Sequence, residues 1–191
     1  NRLALDQFED SFKRLGGQEL RNRVEHAQVV NIDDIPRFKE LNIIPSMQPT
    51  HATSDMNMAE DRVGAQRLKG AYAWQTFLKQ GSPVAFGSDF PVELSNPFLG
   101  LHAAVTRQDR NNSPDNGWIA NEAVTMQQAF RGFTLDAAYA AHQEKILGGL
   151  TKGKWADFIL VDQDIFDIPA KDIWKTQVLE TWIAGERRFK K

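Results

Sequence analysis

Pro83-Val84-Ala85-Phe86-Gly87-Ser88-Asp89-Phe90-Pro91 is the stretch that decides the fold. Its apolar run, residues 83–87, predicts a short buried strand that ends at Gly-Ser-Asp and turns at Phe90-Pro91. Asp89 then stands at the C-terminal tip of a strand, the end at which α/β enzymes keep their chemistry. Upstream, residues 22–27 read as another strand, and Arg23-Val24-Glu25-His26-Ala27 carries an imidazole to its tip. Between the two lies Ile43-Ile44-Pro45-Ser46-Met47-Gln48, a strand made slightly irregular by its proline.

Helical patterns separate these strands. Leu3, Leu5, Phe8, Phe12 and Leu15 share one face of an opening helix that stops at Gly16-Gly17. Asn31, followed by Asp33 and Asp34, predicts an N-cap and an acidic first turn for a helix through Leu41. Pro49-Thr50-His51-Ala52-Thr53-Ser54-Asp55 reads as a polar loop. Residues 59–80 read as a helix closing on Gly81, with Val63, Leu68, Ala71, Trp74, Phe77 and Leu78 on its apolar side. A helix with Leu99, Leu101, Ala104 and Val105 follows the third strand. Another spans 125–141, with Thr125 and Thr134 as candidate caps. Strand and helix alternating at this spacing predict right-handed βαβ units with parallel pairing.

Beyond Gly148-Gly149 the texture changes. Ala156 through Asp162 reads as a strand, and Val178–Ile183 and Glu186–Phe189 flank Ala184-Gly185 as a hairpin. The tail is thus a small β module on an α/β body.

Composition narrows the partners. The chain has 191 residues, 41% hydrophobic, and 23 basic against 25 acidic residues give a net charge of −2. That balance offers no electrostatic reason to expect nucleic acid or an anionic membrane. No apolar run approaches the roughly 20 residues of a membrane-spanning helix. With no cysteine, disulfides, thiolate metal sites and a cysteine nucleophile are all excluded.

Three βα units do not close a sheet, since a complete (β/α)₈ barrel takes about 250 residues. Together with an opening at Asn1 directly on a helix, this predicts the C-terminal part of a larger enzyme. The ligand count runs the same way. A catalytic zinc site takes three protein ligands plus water, and His26 and Asp89 are two. With strands ~4.8 Å apart, tips separated by one strand stand roughly 10 Å apart, so both side chains can still reach one ion or an adjacent pair.

Taken together, Arg23–Gln28, Met47-Gln48-Pro49 with His51 and Asp55, and Gly87–Val92 resemble the amidohydrolase superfamily of metal-dependent hydrolases. The similarity continues through Thr125–Ala138 and Gly149–Phe158, and its nearest branch contains the N-substituted formamide deformylases. The resemblance implies a TIM-like (β/α)₈ barrel. Residues 1–147 would supply about strands six to eight, and residues 148–191 a segment of the β-sandwich that the family builds from both chain ends. It implies that His26 is the metal-binding histidine of the sixth strand, and that Asp89 is the eighth-strand aspartate, both ligand and proton shuttle. The family's His-x-His pair, bridging carboxylate or modified lysine, and fifth-strand histidine have no counterpart here. The implied activity is hydrolysis of a non-peptide C–N bond in a small amide-type substrate through metal-activated water, one or two divalent ions, zinc by preference, acting as cofactor. The isolated chain is expected to be inactive and to dimerise or self-associate.

Each residue also has a plainer reading. Asp89 can cap the turn after its strand, and His26 can be a buried histidine bonded to a carbonyl. His51 and Gln48, following the second strand, can contact substrate or simply be solvated. His102 reads as structural, His142 as a helix C-terminal cap, and Arg62, Arg67, Arg107 and Arg110 as a solvated or salt-bridged periphery. The competing reading for the whole chain is a non-catalytic α/β small-molecule-binding domain, or a degenerate relative of the enzymes.

Overall fold

The computed structural model describes residues 1–191. Three parallel strands, β1 (Arg23–Glu25), β2 (Ile44–Met47) and β3 (Ala85–Phe86), lie side by side in chain order. Arg23 pairs with Ile44 and Glu25 with Ser46, while Met47 pairs with Phe86. The tips of β1 and β3 therefore flank that of β2, as the alternation in the sequence predicts.

Helix α1 (Arg2–Leu15) precedes the sheet and ends at Gly16, whose φ of 72° suits glycine. It buries Leu5 and half-buries Phe8 and Phe12; Leu3 and Leu15 of the predicted stripe are exposed. Asn31 caps the next crossover by accepting from Asp33 N at 2.9 Å, and α2 (Ile35–Glu40) follows.

The segment after β2 is helical, not a loop: α3 spans Pro49–Asp55. Proline at its first position has φ preset for a helix, and extended Gln48 is the N-cap. The predicted helix over 59–80 is instead three pieces, α4 (Ala59–Val63), α5 (Ala65–Leu68) and α6 (Trp74–Lys79). Gly64, at φ 76°, makes the first break. At the second, Gly70 O accepts from Val30 N at 2.9 Å, and Tyr72 N donates to Gln28 O at 2.7 Å. A Cβ on Gly70 would stand 1.8 Å from Val30 O, so only glycine permits this approach.

After β3 come α7 (Pro97–Thr106), α8 (Met126–Arg131), a π-helical turn over Gly132–Asp136, and α9 (Ala137–Ala140). Thr125 opens α8 with a reciprocal capping box, its Oγ1 accepting from Gln128 N and its N donating to Gln128 Oε1. Thr134 lies inside the π turn, where its hydroxyl donates to Phe130 O at 2.7 Å, and caps no helix start. Met47 and Phe86 join the main core with Phe38, Trp74, Phe77 and Phe98, while Ile44 and Ala85 meet Ala140 on the opposite face. Both faces are covered, as parallel sheets require.

Arg107 corrects its peripheral reading, being fully buried at 0% exposure. Its Nε donates to Trp118 O at 2.8 Å and a terminal nitrogen to Tyr72 O at 3.0 Å, with the guanidinium 4.2 Å from the Trp74 ring centroid. Burial pulls its pKa down to about 10, which leaves it charged at neutral pH. His102 is buried between Ala170 O and Asp109 O, a structural position.

A second, antiparallel sheet holds β4 (Phe158–Val161), β5 (Val178–Ile183) and β6 (Glu186–Lys190), with β5 central. Phe158 stacks on Trp182 at 5.5 Å. No helix of the structure is long and apolar enough to cross a membrane.

Candidate metal centre

The two strand tips turn sharply. His26 and Ala27 have φ of 69° and 42°, and Asp89 has φ of 57°. Left-handed conformations at non-glycine residues cluster where geometry is held for function. Glu25 stays on the other side, exposed and paired with Arg23. The Asp89 side chain does not cap its turn, because Phe90 N donates to Ser88 Oγ at 3.3 Å instead.

His26 Nδ1 lies 3.9 Å from Asp89 Oδ2, with the tip of β2 between their strands. His51, in the first turn of α3, comes to the same carboxylate, its Nε2 3.7 Å from Asp89 Oδ2. The two imidazoles stack with centroids 5.7 Å apart. One donor atom from each of the three residues lies within 4.8 Å of the others. Two imidazoles and a carboxylate are the nitrogen and oxygen donors that zinc and similar divalent ions take. His51 Nε2 is buried with no hydrogen-bond partner, so the cluster has unused polar capacity facing inward. The residues present fit a divalent cation.

Around the cluster lies a polar shell. Gln48 is 7% exposed and places Oε1 3.0 Å from His26 Nδ1. Gln28 Nε2 is 3.5 Å from His51 Nδ1, 3.4 Å from Asp55 Oδ2 and 3.2 Å from the Tyr72 hydroxyl. The Tyr72 hydroxyl in turn donates to Asp55 Oδ2. Burial first, and the Asp55 hydrogen bond second, push the Tyr72 phenol well above its ordinary range, so it keeps its proton.

His26, Asp89, His51 and Gln48 thus meet in one place, while His102 and His142 lie elsewhere. Gln28, Asp55 and Tyr72 carry no role in the sequence reading. Asp55 stands four residues after His51, on the same face of a helix, and reading Pro49 as a helix start brings the two together. Tyr72 reaches the site through the pairing of Gly70–Tyr72 with Gln28–Val30, which no local pattern announces.

A model of the amidohydrolase family matches residues 2–189. This chain belongs to the amidohydrolase family. Protein LONG AFTER FAR-RED 3 of Arabidopsis thaliana is 33% identical to it over 190 residues, which cover 99% of this chain and 32% of that protein. N-substituted formamide deformylase of Arthrobacter pascens is 26% identical over 194 residues, covering 99% of this chain and 34% of its own length. Among solved structures, a metal-dependent hydrolase from Pyrococcus horikoshii superposes with a TM-score of 0.75 at 27% identity, over 88% of this chain and 33% of that one. This amidohydrolase chain spans about a third of the length of the curated relatives it matches.

Proposed function

We propose that this chain is the C-terminal portion of a metal-dependent amidohydrolase that cleaves a non-peptide C–N bond in a small amide-type substrate. The carrying observation is the 3.9 Å approach of His26 and Asp89 across an intervening strand tip. The family match, the formamide deformylase relative and the metal-dependent hydrolase likeness support the same reading.

His26 and Asp89 would hold one divalent ion, zinc by preference, or share an adjacent pair. When bound, such an ion polarises a carbonyl and acidifies water towards neutral pH. Asp89 is the proton shuttle: its carboxylate takes the proton of the attacking water and passes it to the departing nitrogen. His51 and Gln48 contact and orient the substrate. The left-handed turns at both strand tips keep imidazole and carboxylate aimed at one point before substrate arrives.

Residues 1–147 are, on this proposal, part of a (β/α)₈ barrel, and residues 148–191 a segment of a β-sandwich. With His51 given to substrate, the two remaining ligands of the three-residue cluster are one short of a catalytic zinc site, so the chain by itself is expected to be inactive and to hold metal poorly. The unpaired edges of β1 and β3 support self-association. Metal analysis after dialysis, assays on simple amides and formamides, and sedimentation test the proposal together. A monomer that retains stoichiometric zinc contradicts the ligand arithmetic.

A further inference from the structure

His51 turns one ring nitrogen towards Asp89 and the other into the polar shell, and the chemistry of that shell fixes which nitrogen carries the hydrogen. Asp55 can only accept hydrogen bonds, and the Tyr72 hydroxyl hydrogen is already committed to it. What Tyr72 offers Gln28 is therefore an oxygen lone pair. The Gln28 amide nitrogen faces both oxygens, at 3.4 Å and 3.2 Å. Reversing the amide would set its carbonyl oxygen against two acceptors, so the nitrogen must stay. The amide has two N–H groups: the Tyr72 and Asp55 oxygens, hydrogen-bonded to each other, share one, and the second is left for His51 Nδ1, 3.5 Å away. A donor facing Nδ1 leaves that atom as the acceptor of a neutral imidazole and puts the ring hydrogen on Nε2.

Metal-ligating histidines show the opposite pattern: their second ring nitrogen donates to a carboxylate, carbonyl or water. His26 has an acceptor beside Nδ1, Gln48 Oε1 at 3.0 Å. His51 has a donor. Its Nε2 is also the buried atom left without a hydrogen-bond partner, 3.7 Å from Asp89 Oδ2.

We propose that Gln28, oriented by Asp55 and Tyr72, holds His51 as its Nε2–H tautomer, making His51 a hydrogen-bond donor to the substrate's carbonyl oxygen and not a third metal ligand. The assignment deepens the hydrolase reading and rests on it for the identity of the acceptor. Gln28, Asp55 and Tyr72 are positioning residues. A donor placed where negative charge develops on a carbonyl oxygen acts in the transition state more than in the ground state.

The test is a long-range proton–nitrogen correlation spectrum of the histidine-labelled 191-residue chain, recorded near pH 8, above the ordinary imidazole range. The His51 signals are identified by their loss in H51Q. The expected spectrum shows a protonated Nε2 and a bare Nδ1 for His51. In Q28E a carboxylate replaces the donor, and the hydrogen is expected to move to Nδ1. In Y72F the amide loses its anchor, and a mixture of tautomers is expected. Zinc sulfate should then shift His26 and leave the His51 Nε2–H signal in place. A wild-type His51 protonated at Nδ1, a tautomer insensitive to both Q28E and Y72F, or a His51 Nε2 that takes up zinc overturns the proposal. If zinc moves neither histidine, the metal reading fails while the tautomer result stands on its own, so the two failures are distinguishable.

Discussion

The molecule carries two three-stranded sheets that treat apolar side chains in opposite ways. In the parallel sheet Ile44, Met47, Ala85 and Phe86 are all buried. In the antiparallel sheet Ile159, Leu160, Ile183 and Phe189 are all exposed, each above 40%. The difference follows from connectivity. Parallel strands need crossovers, and crossovers bring helices that cover the sheet, whereas a hairpin brings nothing with it. The three close donor groups all follow strands of the covered sheet, His26 and Asp89 just past β1 and β3 and His51 in the helix after β2.

Substitution should separate the two sheets. Met47→Asp puts an unpaired charge into the covered core and is expected to unfold the parallel half, at more than about 4 kcal/mol. Urea unfolding followed by circular dichroism reads this, and a variant as stable as wild type breaks the contrast. Next in size is Gly132→Ala, because a Cβ there would stand 2.4 Å from Phe86 Cδ2. The π turn must move off β3, with an expected loss of about 1–3 kcal/mol in the same measurement.

Asp89→Gly should act in the other direction. Glycine takes the left-handed conformation without a Cβ penalty, so the variant should be about 1 kcal/mol more stable, roughly 2–4 °C in Tm, while losing metal affinity. Calorimetry with and without zinc checks both halves of that statement. A lower Tm would mean that the side chain holds the fold and not the site.

The acid limb offers a finer probe. The Arg21 hydrogen bond holds the Glu144 carboxyl down at about 2, tying the chain just before β1 to the segment after α9. A depressed acid stabilises the fold above its unfolded value, near 4.3, and that stability is lost as pH falls towards 2. R21Q is expected to flatten this part of the stability curve. The smallest effect belongs to the bare sheet: Phe189→Glu should change stability by less than about 0.5 kcal/mol.

Much of the covered sheet was legible because its signals are local. Apolar runs ending in turn residues marked the strands, and Asn31 and Thr125 announced their caps. The family resemblance, read from strand-tip and loop motifs, is matched over residues 2–189. Helix α3 was hidden by its polar composition, since Thr-His-Ala-Thr-Ser-Asp reads as a loop unless Pro49 is taken as a first-turn residue. The breaks at Gly64 and Gly70 were masked by apolar residues at nearly helical spacing. Arg107 was misplaced because its partners, two backbone carbonyls and an indole face, come from distant segments and leave no charge pattern. At the site, the meeting of His26 and Asp89 follows from strand order alone. The Gln28–Asp55–Tyr72 shell depends on a non-local bridge between residues 28–30 and 70–72.

The most direct measurement is a zinc competition titration of the 191-residue chain beside H26A and D89A. Weak, saturable one-to-one binding in the parent chain is expected, with each variant at least about tenfold weaker, or some 1.4 kcal/mol. Equal zinc affinity in all three proteins would contradict a shared ion at the two strand tips.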